Sequence, residues 1–172
     1  MIRISECPDK FNGQHAIQLI EAENHHDPFL YALFASTRMG EVSSWQWSDE
    51  MASHFLKMQW QAQKLSYQHQ FSRAKNFIVQ MNTDQIGRLM VNEDDSSIQL
   101  IDIAIMPDYQ NKKLGSFMIE LVQMEAQSKG KDVRLMVKRN NPALKLYKRL
   151  DFFVIEENSL DLKMVWRSSE NR

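Results

Sequence analysis

The spacing of apolar residues changes near residue 76, and this change is the feature that most constrains the fold. Residues 76–81, 85–91 and 98–106 form apolar runs typical of strands, separated by a turn at 83–84 and a polar turn at 93–96. Connections this short join neighbouring antiparallel strands. The middle of the chain is therefore predicted to be an antiparallel meander.

A strand–helix–strand step leads out of the meander. An amphipathic helix is predicted at 115–129, ended by Gly130, and a strand follows at 133–137. Such a step joins two parallel strands through a right-handed crossover. The remaining elements are a short helix and two strands, at 142–149, 152–157 and 160–166. The prediction is an α+β fold with a mixed, mostly antiparallel sheet.

The first 75 residues are predicted to be mainly helical, after a short strand at 2–4. Short helices are expected at 14–22 and 28–36, and a long helix runs from the N-cap candidate Ser48 to about residue 70. Apolar residues three and four positions apart share one helix face. The face expected to pack on the core carries Met51, Phe55, Met58, Ala62 and Leu65.

Length and charge limit the class of protein. A chain of 172 residues makes about one domain, which we divide into a helical part (1–75), a sheet part (76–167) and a polar tail (168–172). Lys and Arg total 21 and Asp and Glu total 22, so the net charge of −1 argues against nucleic-acid or membrane-surface partners. One cysteine, no metal-ligand spacing and no apolar segment long enough for a bilayer predict a cytoplasmic protein without a metal.

The segment 103–116 carries the clearest chemical signal. A buried strand ends at Pro107, and a polar turn leads into the helix. A helix N-terminus offers unpaired N–H groups and partial positive charge, which suit a phosphate. Lys112 and Lys113 add positive charge, although a plain loop with solvated lysines is the alternative. Neither the Walker pattern nor the dinucleotide GxGxxG pattern is present.

Two motifs in this region resemble those of GCN5-related N-acetyltransferases. Residues 110–115 (QNKKLG) look like the Gln/Arg-x-x-Gly-x-Gly/Ala pyrophosphate loop of that family. Residues 140–152 (NNPALKLYKRLDF) resemble its Asn-x-x-Ala-x-x-Leu-Tyr-x-x-x-Gly-Phe signature. The resemblance implies a single-domain fold of six or seven strands flanked by helices, with strands four and five parallel and splayed apart. It also implies acetyl-CoA as co-substrate.

The resemblance assigns roles to residues at matching positions. The strand residues whose backbone would meet the pantetheine arm and thioester are Ile103, Ala104 and Ile105. The residues that would wrap the pyrophosphate are Gln110, Asn111, Lys112, Lys113, Leu114, Gly115 and Ser116. Asn140 would bind the cofactor arm. Tyr147 would protonate the departing thiolate as general acid, unless its ring only packs against the sheet.

Two positions depart from the family pattern. Lys113 and Asp151 stand where the motifs have glycine. Glycine adopts positive φ without strain, whereas lysine there costs about 1 kcal/mol or more. Asp tolerates the left-handed conformation better than most residues. Weaker cofactor binding is one expected consequence of Lys113, and compensation by its charge is the other.

Candidates for proton removal and acceptor binding are less well defined. Asp102 and Glu41 are the carboxylates we consider for the general base. The alternative for Asp102 is an ordinary hydrogen-bonded strand residue, and the alternative for Glu41 is a surface charge. A chain of water molecules could take the proton instead. The acceptor pocket is expected from residues 29–41, where Tyr31, Arg38 and Glu41 are candidate contacts. Arg38 is suited to a carboxylate or phosphate, or else pairs with Glu41 on one helix.

The function expected from these residues is acetyl transfer from acetyl-CoA to a primary amine by direct attack in a ternary complex. A small-molecule acceptor is favoured, in a bacterial protein for which a homodimer is considered. Acetylation of a protein N-terminus or lysine, and a non-catalytic acyl-CoA-binding sensor module, are the alternatives. A structural protein without a cofactor is a third.

Overall fold

One mixed sheet organises the molecule. The structure, a computed structural model, describes residues 17–171. Within this range the strands are β1 (Ile17–Glu21), β2 (Lys75–Met81), β3 (Asp84–Glu93), β4 (Ser97–Ile105), β5 (Asp132–Lys138), β6 (Phe153–Glu157) and β7 (Asp161–Trp166). The helices are α1 (Asp27–Ser36), α2 (Met39–Ser43), α3 (Asp49–Gln70), α4 (Leu114–Ser128) and α5 (Leu144–Arg149). The predicted α+β fold, with seven strands in the order β1-β2-β3-β4-β5-β7-β6, is confirmed.

The pair β4–β5 is parallel, and all other neighbours in the described sheet are antiparallel. Parallel pairing covers only Ser97–Leu100 against Asp132–Leu135. Beyond Leu100, β4 continues along β3 as far as Ile105, and β5 continues along β7 as far as Lys138. The predicted splayed pair at strands four and five is therefore present.

Helices cover both faces of the sheet. On one face, Phe77 and Val79 belong to a core cluster that includes Met118 and Val122 of α4. Side chains alternate along a strand, so Ile78, which is fully buried, points to the opposite face. That face lies under α3, because Arg88, the partner of Ile78, lies 5.6 Å from the Tyr67 ring, measured from its guanidinium carbon to the ring centroid. We call the side of the sheet under α4 the α4 face and the opposite side the α3 face.

The expected helix at 14–22 is wrong where the structure describes it, because Ile17–Glu21 forms β1. This segment pairs along its whole length with β2, from Ile17 opposite Met81 to Glu21 opposite Phe77. Its partner lies some sixty residues away in the chain, so local periodicity carries no sign of the pairing. The strand predicted at 2–4 lies outside the described residues.

The long helix α3 begins where predicted but packs through a different face. Ser48 is the N-cap, and its hydroxyl accepts a hydrogen bond from the Met51 N–H at 3.3 Å. The predicted core stripe is largely exposed: Met51 is 57%, Met58 51% and Leu65 57% accessible. The buried residue is Leu56, which packs with Phe34 and Val42. The prediction failed because Ala52 and Leu56, rotated about 100° from the stripe, form a competing inner face.

The C-terminal segment packs against the sheet rather than projecting from it. Ser168 is fully buried, and its N–H donates to Asp132 Oδ1 at 3.2 Å. Asn171 donates from Nδ2 to the same oxygen at 3.0 Å. In the described range no helix combines the length and apolar character needed to cross a membrane.

The packing of α3 yields a direct test. Leu56→Ala is expected to lower the free energy of unfolding by about 2–5 kcal/mol, because it leaves a cavity in a packed cluster. Leu65→Ala, on the exposed face of the same helix, is expected to change it by less than about 0.5 kcal/mol. Urea unfolding followed by circular dichroism measures both. Equal losses for the two variants would contradict the assignment of the inner face.

Candidate active site

A cleft of about 1160 Å³ lies where β4 and β5 diverge. Its walls include the end of α1 and the start of α2 from the α3 face, and the start of α4 from the other face. The gap between the strands therefore opens through the sheet. Among the residues named from the sequence, those lining the cleft are Arg38, Asp102, Ile103, Ala104, Ile105, Gln110, Asn111, Lys113, Leu114, Gly115, Ser116, Asn140 and Tyr147.

A β-bulge decides where the Asp102 side chain points. Met90 pairs with Asp102 and Val91 pairs with Leu100, so Ile101 is an extra residue in β4. A bulge shifts the alternation of side chains along its strand. Leu100, before the bulge, and Ile103, after it, both contribute to the core on the α4 face. Asp102 consequently points to the α3 face.

Asp102 is held there by a polar cluster. Arg88 donates from Nη1 to Asp102 Oδ2 at 3.0 Å and from Nε to Asn76 Oδ1 at 2.7 Å. The Asp102 side chain is 26% and the Arg88 side chain 14% exposed. Burial raises the pKa of Asp102 above its ordinary value, although the charges of Arg88 and Arg38 oppose this rise. The carboxylate is thus oriented by Arg88 and more basic than a solvated one.

The loop before α4 presents backbone N–H groups. Asn111 and Lys113 have φ of 61° and 62°, so both lie in the left-handed region. Lys113 is the N-cap residue, and its side chain makes no capping hydrogen bond. The first N–H groups of an α-helix have no acceptor within the helix. Those at the start of α4 therefore form a candidate anion site at the cleft wall.

Side chains hold this loop in place. Gln110 donates from Nε2 to the Ile105 carbonyl at 2.9 Å, which ties the loop to the end of β4. Tyr109 donates from its hydroxyl to Asp84 Oδ2 at 3.1 Å. Gly115 lies close to α5, since a Cβ there would be 3.3 Å from Leu146 Cδ2. The loop is anchored at both ends against neighbouring elements.

Both departures from the family pattern adopt the conformation that glycine favours. Lys113 has a φ of 62° and Asp151 also has a φ of 62°. The sequence-based expectation that these positions need positive φ agrees with the structure. A lysine in the left-handed region carries a strain of about 1–2 kcal/mol.

Tyr147 is the buried residue of α5 and is only 7% exposed. Its ring packs edge-to-face on Phe152, with centroids 5.9 Å apart. Its hydroxyl has no hydrogen-bond partner among residues 17–171, and the residue lines the cleft. Burial, and secondarily the charge of Asp102, raise its pKa to about 12. The phenol is therefore protonated at neutral pH, and no group of residues 17–171 accepts its proton.

The charged residues of the cleft favour an anionic ligand. Four lining side chains are basic, namely Arg38, Lys113, Lys138 and Arg149, and one is acidic, Asp102. Lys138 is paired with Asp161 at 3.0 Å. Within residues 17–171 the Arg149 side chain makes one long hydrogen bond, of 3.4 Å, to Ser116 Oγ. A positive cleft of this kind attracts phosphate-bearing molecules.

Neighbouring asparagines divide two tasks at the end of β5. Asn141 Oδ1 accepts from the Ala143 N–H at 2.8 Å, so its amide serves the turn into α5. Asn140 lines the cleft, and no hydrogen bond to its side chain is present in the described chain. Its amide is available to a ligand.

Three residues named from the sequence lie outside the lining. Lys112 turns back, its ammonium 5.3 Å from the centroid of the Tyr109 ring. Tyr31 packs against Trp60 and its hydroxyl donates to the Ser53 carbonyl at 3.4 Å. Glu41 is exposed on α2. None of them is a wall residue of the cleft.

Sequence reasoning missed some wall residues. Ser36, Thr37 and Gly40 enter the cleft only because α1 packs beside β4. Arg149 lies inside the second motif, so its positive charge there was the one signal that could have identified it.

Comparisons with known proteins agree with this geometry. A sequence model of one family, the acetyltransferase (GNAT) family, matches residues 39–152. No curated protein matches the sequence. The PaiA N-acetyltransferase of Thermoplasma acidophilum, crystallised with coenzyme A, is 17% identical and has a TM-score of 0.66 over 88% of this chain and 99% of its own.

Two further solved structures share the fold. The Escherichia coli ribosomal-protein-S18-alanine N-acetyltransferase is 20% identical, with a TM-score of 0.59 over 90% of this chain and 95% of its own. Campylobacter jejuni N-acetyltransferase PseH, in complex with acetyl coenzyme A, is 21% identical, with a TM-score of 0.56 over 90% of this chain and 100% of its own. At such identities the likeness is one of fold. The family match runs from the first residue of α2 to the residue before β6, and the chain therefore belongs to the acetyltransferase (GNAT) family.

Proposed function

We propose that the protein transfers the acetyl group of acetyl-CoA to the primary amine of a small molecule by direct attack in a ternary complex. The observation that carries the proposal is the Tyr147 hydroxyl. It is protonated, has no hydrogen-bond partner in the described chain, and belongs to the same cleft as the N-terminus of α4. The N-terminus of α4 would hold the acyl carrier, and Tyr147 in the same cleft would supply the acid that protonates its leaving thiolate.

The α4 side of the cleft suits the cofactor. The N–H groups at the start of α4, with Lys113 and Arg149, would hold the pyrophosphate and its negative charge. Asn140 and the backbone of Ile103, Ala104 and Ile105, where β4 borders the gap, would bind the pantetheine arm. The Ile105 carbonyl already accepts from Gln110, so the other backbone groups of this edge would serve. Such holding supplies the orientational part of catalysis. Bound there, acetyl-CoA supplies the activated acyl group.

Tyr147 and Asp102 would manage the protons. Amine attack builds negative charge on the thioester oxygen, which fixed backbone donors stabilise. Tyr147 would then donate its proton to the leaving thiolate. Asp102, oriented by Arg88, would accept the proton of the attacking amine, directly or through water. Glu41, exposed on α2, is a weaker candidate for this role.

Other readouts separate the alternatives. Release of free CoA thiol over a varied amine panel tests the enzyme. Acetyl-CoA binding without thiol release would favour the sensor module, and transfer only to peptides would favour a protein N-terminus or lysine.

A homodimer and a cytoplasmic location stay predictions. Sedimentation in solution tests the first, and cell fractionation tests the second.

Replacing the phenol tests the general acid. Tyr147→Phe is expected to lower kcat about 100-fold, since general acid catalysis contributes about 10²–10⁴-fold. Acetyl-CoA affinity, measured by calorimetry, is expected to stay within about twofold of the parent value because the ring and its packing remain. Tyr31→Phe, which loses a hydroxyl that donates to the Ser53 carbonyl outside the cleft, is the matched control. Unchanged kcat in Tyr147→Phe would remove Tyr147 from the mechanism.

The pH profile tests Asp102. A carboxylate must be deprotonated to accept a proton, so kcat/KM should rise with pH through the raised pKa of Asp102. That acid limb should lie above the ordinary value of about 4 for an Asp side chain. Asp102→Asn is expected to lose the limb and most activity while still binding acetyl-CoA. Asp95→Asn, in an exposed turn, should keep the parent profile, and an identical profile in Asp102→Asn would exclude Asp102 as the base.

Two substitutions at residue 113 separate strain from charge. Lys113→Gly removes both the ammonium and the strain of positive φ, and should raise the free energy of unfolding by about 1 kcal/mol. Lys113→Ala removes only the ammonium. Acetyl-CoA affinity kept or raised in Lys113→Gly would identify lysine as a misfit. A matching loss of affinity in both variants would show instead that the charge contributes, and equal unfolding energies would refute the strain.

A further inference from the structure

Arg38 is half-buried at the cleft, and its guanidinium has no acceptor among residues 17–171. It lines the wall on the α3 face with Ser36, Thr37 and Gly40. In the described part of the chain its side chain forms no ion pair or hydrogen bond, although its backbone is hydrogen-bonded to Ala35, Glu41 and Val42. The sequence left open a pair with Glu41, but the two side chains do not meet. A partly buried guanidinium carries five N–H donors, and leaving them without acceptors costs free energy that a bound anion would recover.

The guanidinium is oriented before any ligand arrives. Its central carbon lies 4.1 Å from the centroid of the Phe34 ring, and Phe34 is itself 8% exposed. Stacking on an aromatic face fixes the plane of the group and leaves its edge N–H groups free. Two such groups side by side match the oxygens of a carboxylate or phosphate.

The cofactor does not account for Arg38. The groups suited to the cofactor phosphates, namely the N-terminus of α4 with Lys113 and Arg149, lie on the α4 side of the gap. Arg38 lies on the α3 side, where its positive charge acts on Asp102 and Tyr67. The cleft thus has two cationic regions, one on each face of the sheet. Tyr147 and Asp102 line the same cleft.

We infer that the acceptor is a primary amine that also carries an oxyanion, and that Arg38 holds this oxyanion while the amine lies near Asp102. The inference rests on the proposed function and narrows its acceptor class. A carboxylate and a phosphate share the required chemistry. A compact acceptor with opposite charges at its two ends complements Arg38 and Asp102 together, which a plain alkylamine or a diamine does not.

Matched acceptors test this class. The panel contains β-alanine and β-alaninamide, γ-aminobutyrate and its amide, α-amino acids and their amides, and O-phosphorylethanolamine with ethanolamine. Each pair differs by the charge on one group, and CoA thiol release gives kcat and KM for each member. In the parent protein the best substrate should be an anionic member, with kcat/KM at least about tenfold above its neutral partner, a difference of about 1.4 kcal/mol. The carboxylate and phosphate pairs distinguish the two anion types.

Variants of Arg38 connect the preference to the residue. Arg38→Gln should raise KM for the anionic member and bring the ratio within each pair close to one, with little change for the neutral member. Arg38→Lys keeps the positive charge but loses the paired N–H donors of the planar guanidinium. It should therefore retain part of the preference for the anionic acceptor. Arg73→Gln, an exposed arginine outside the cleft, is the matched control. Thermal unfolding and acetyl-CoA binding, unchanged in all three, verify that the fold and cofactor site are intact.

The outcomes are distinguishable. A neutral amine or a diamine as best substrate, or an anionic preference that survives Arg38→Gln, overturns the inference and leaves the proposed acetyl transfer standing. Absence of thiol release with every amine overturns the proposed function, and the inference with it. In that case acetyl-CoA binding, measured in parallel, separates a sensor module that binds the cofactor from a protein that does not bind it.

Discussion

The early end of the pairing between β4 and β5 is the constraint on which the rest of the site depends. Hydrogen-bonded pairing holds these strands together from Ser97 to Leu100 and from Asp132 to Leu135. Past that point each strand follows its other neighbour, so part of the β4 backbone faces a gap instead of a strand. Unpaired backbone groups in a protein need partners. An extended ligand arm lying in the gap would provide them, and the same gap connects the helix N-terminus on one face with Arg38 on the other.

The bulge at Ile101 allows β4 to present a carboxylate at the cleft as well as apolar side chains to the core. Under strict alternation from Ile98 and Leu100, Asp102 would point into the apolar core on the α4 face. The extra residue directs it instead toward Arg88 and Asn76, where the carboxylate finds donors. A buried charge is tolerated only when paired and hydrogen-bonded. Arg88 therefore stabilises Asp102 in the position where its basicity can be used.

Sequence reasoning succeeded where local backbone chemistry determines the structure. The positive φ at Lys113 and Asp151 follows from motifs that carry glycine, and the start of α3 follows from Ser48. It failed where a distant partner decides. The strand β1 exists because β2 lies beside it, and α3 buries Leu56 because Phe34 and Val42 of the preceding helices fit there. No residue near Ile101 announces the bulge, so the direction of Asp102 needed the structure.

Acid and base in the proposed reaction are coupled through their charges. The negative charge of Asp102 helps to raise the pKa of Tyr147, and so it keeps the phenol protonated while the base is free. Once Asp102 accepts the amine proton, that contribution disappears and Tyr147 becomes a stronger acid. The leaving thiolate needs its proton at this later stage. An oxyanion on the acceptor would act in the same sense: by offsetting the charge of Arg38, which lowers the pKa of Asp102, it would make the carboxylate a better base when the acceptor is bound.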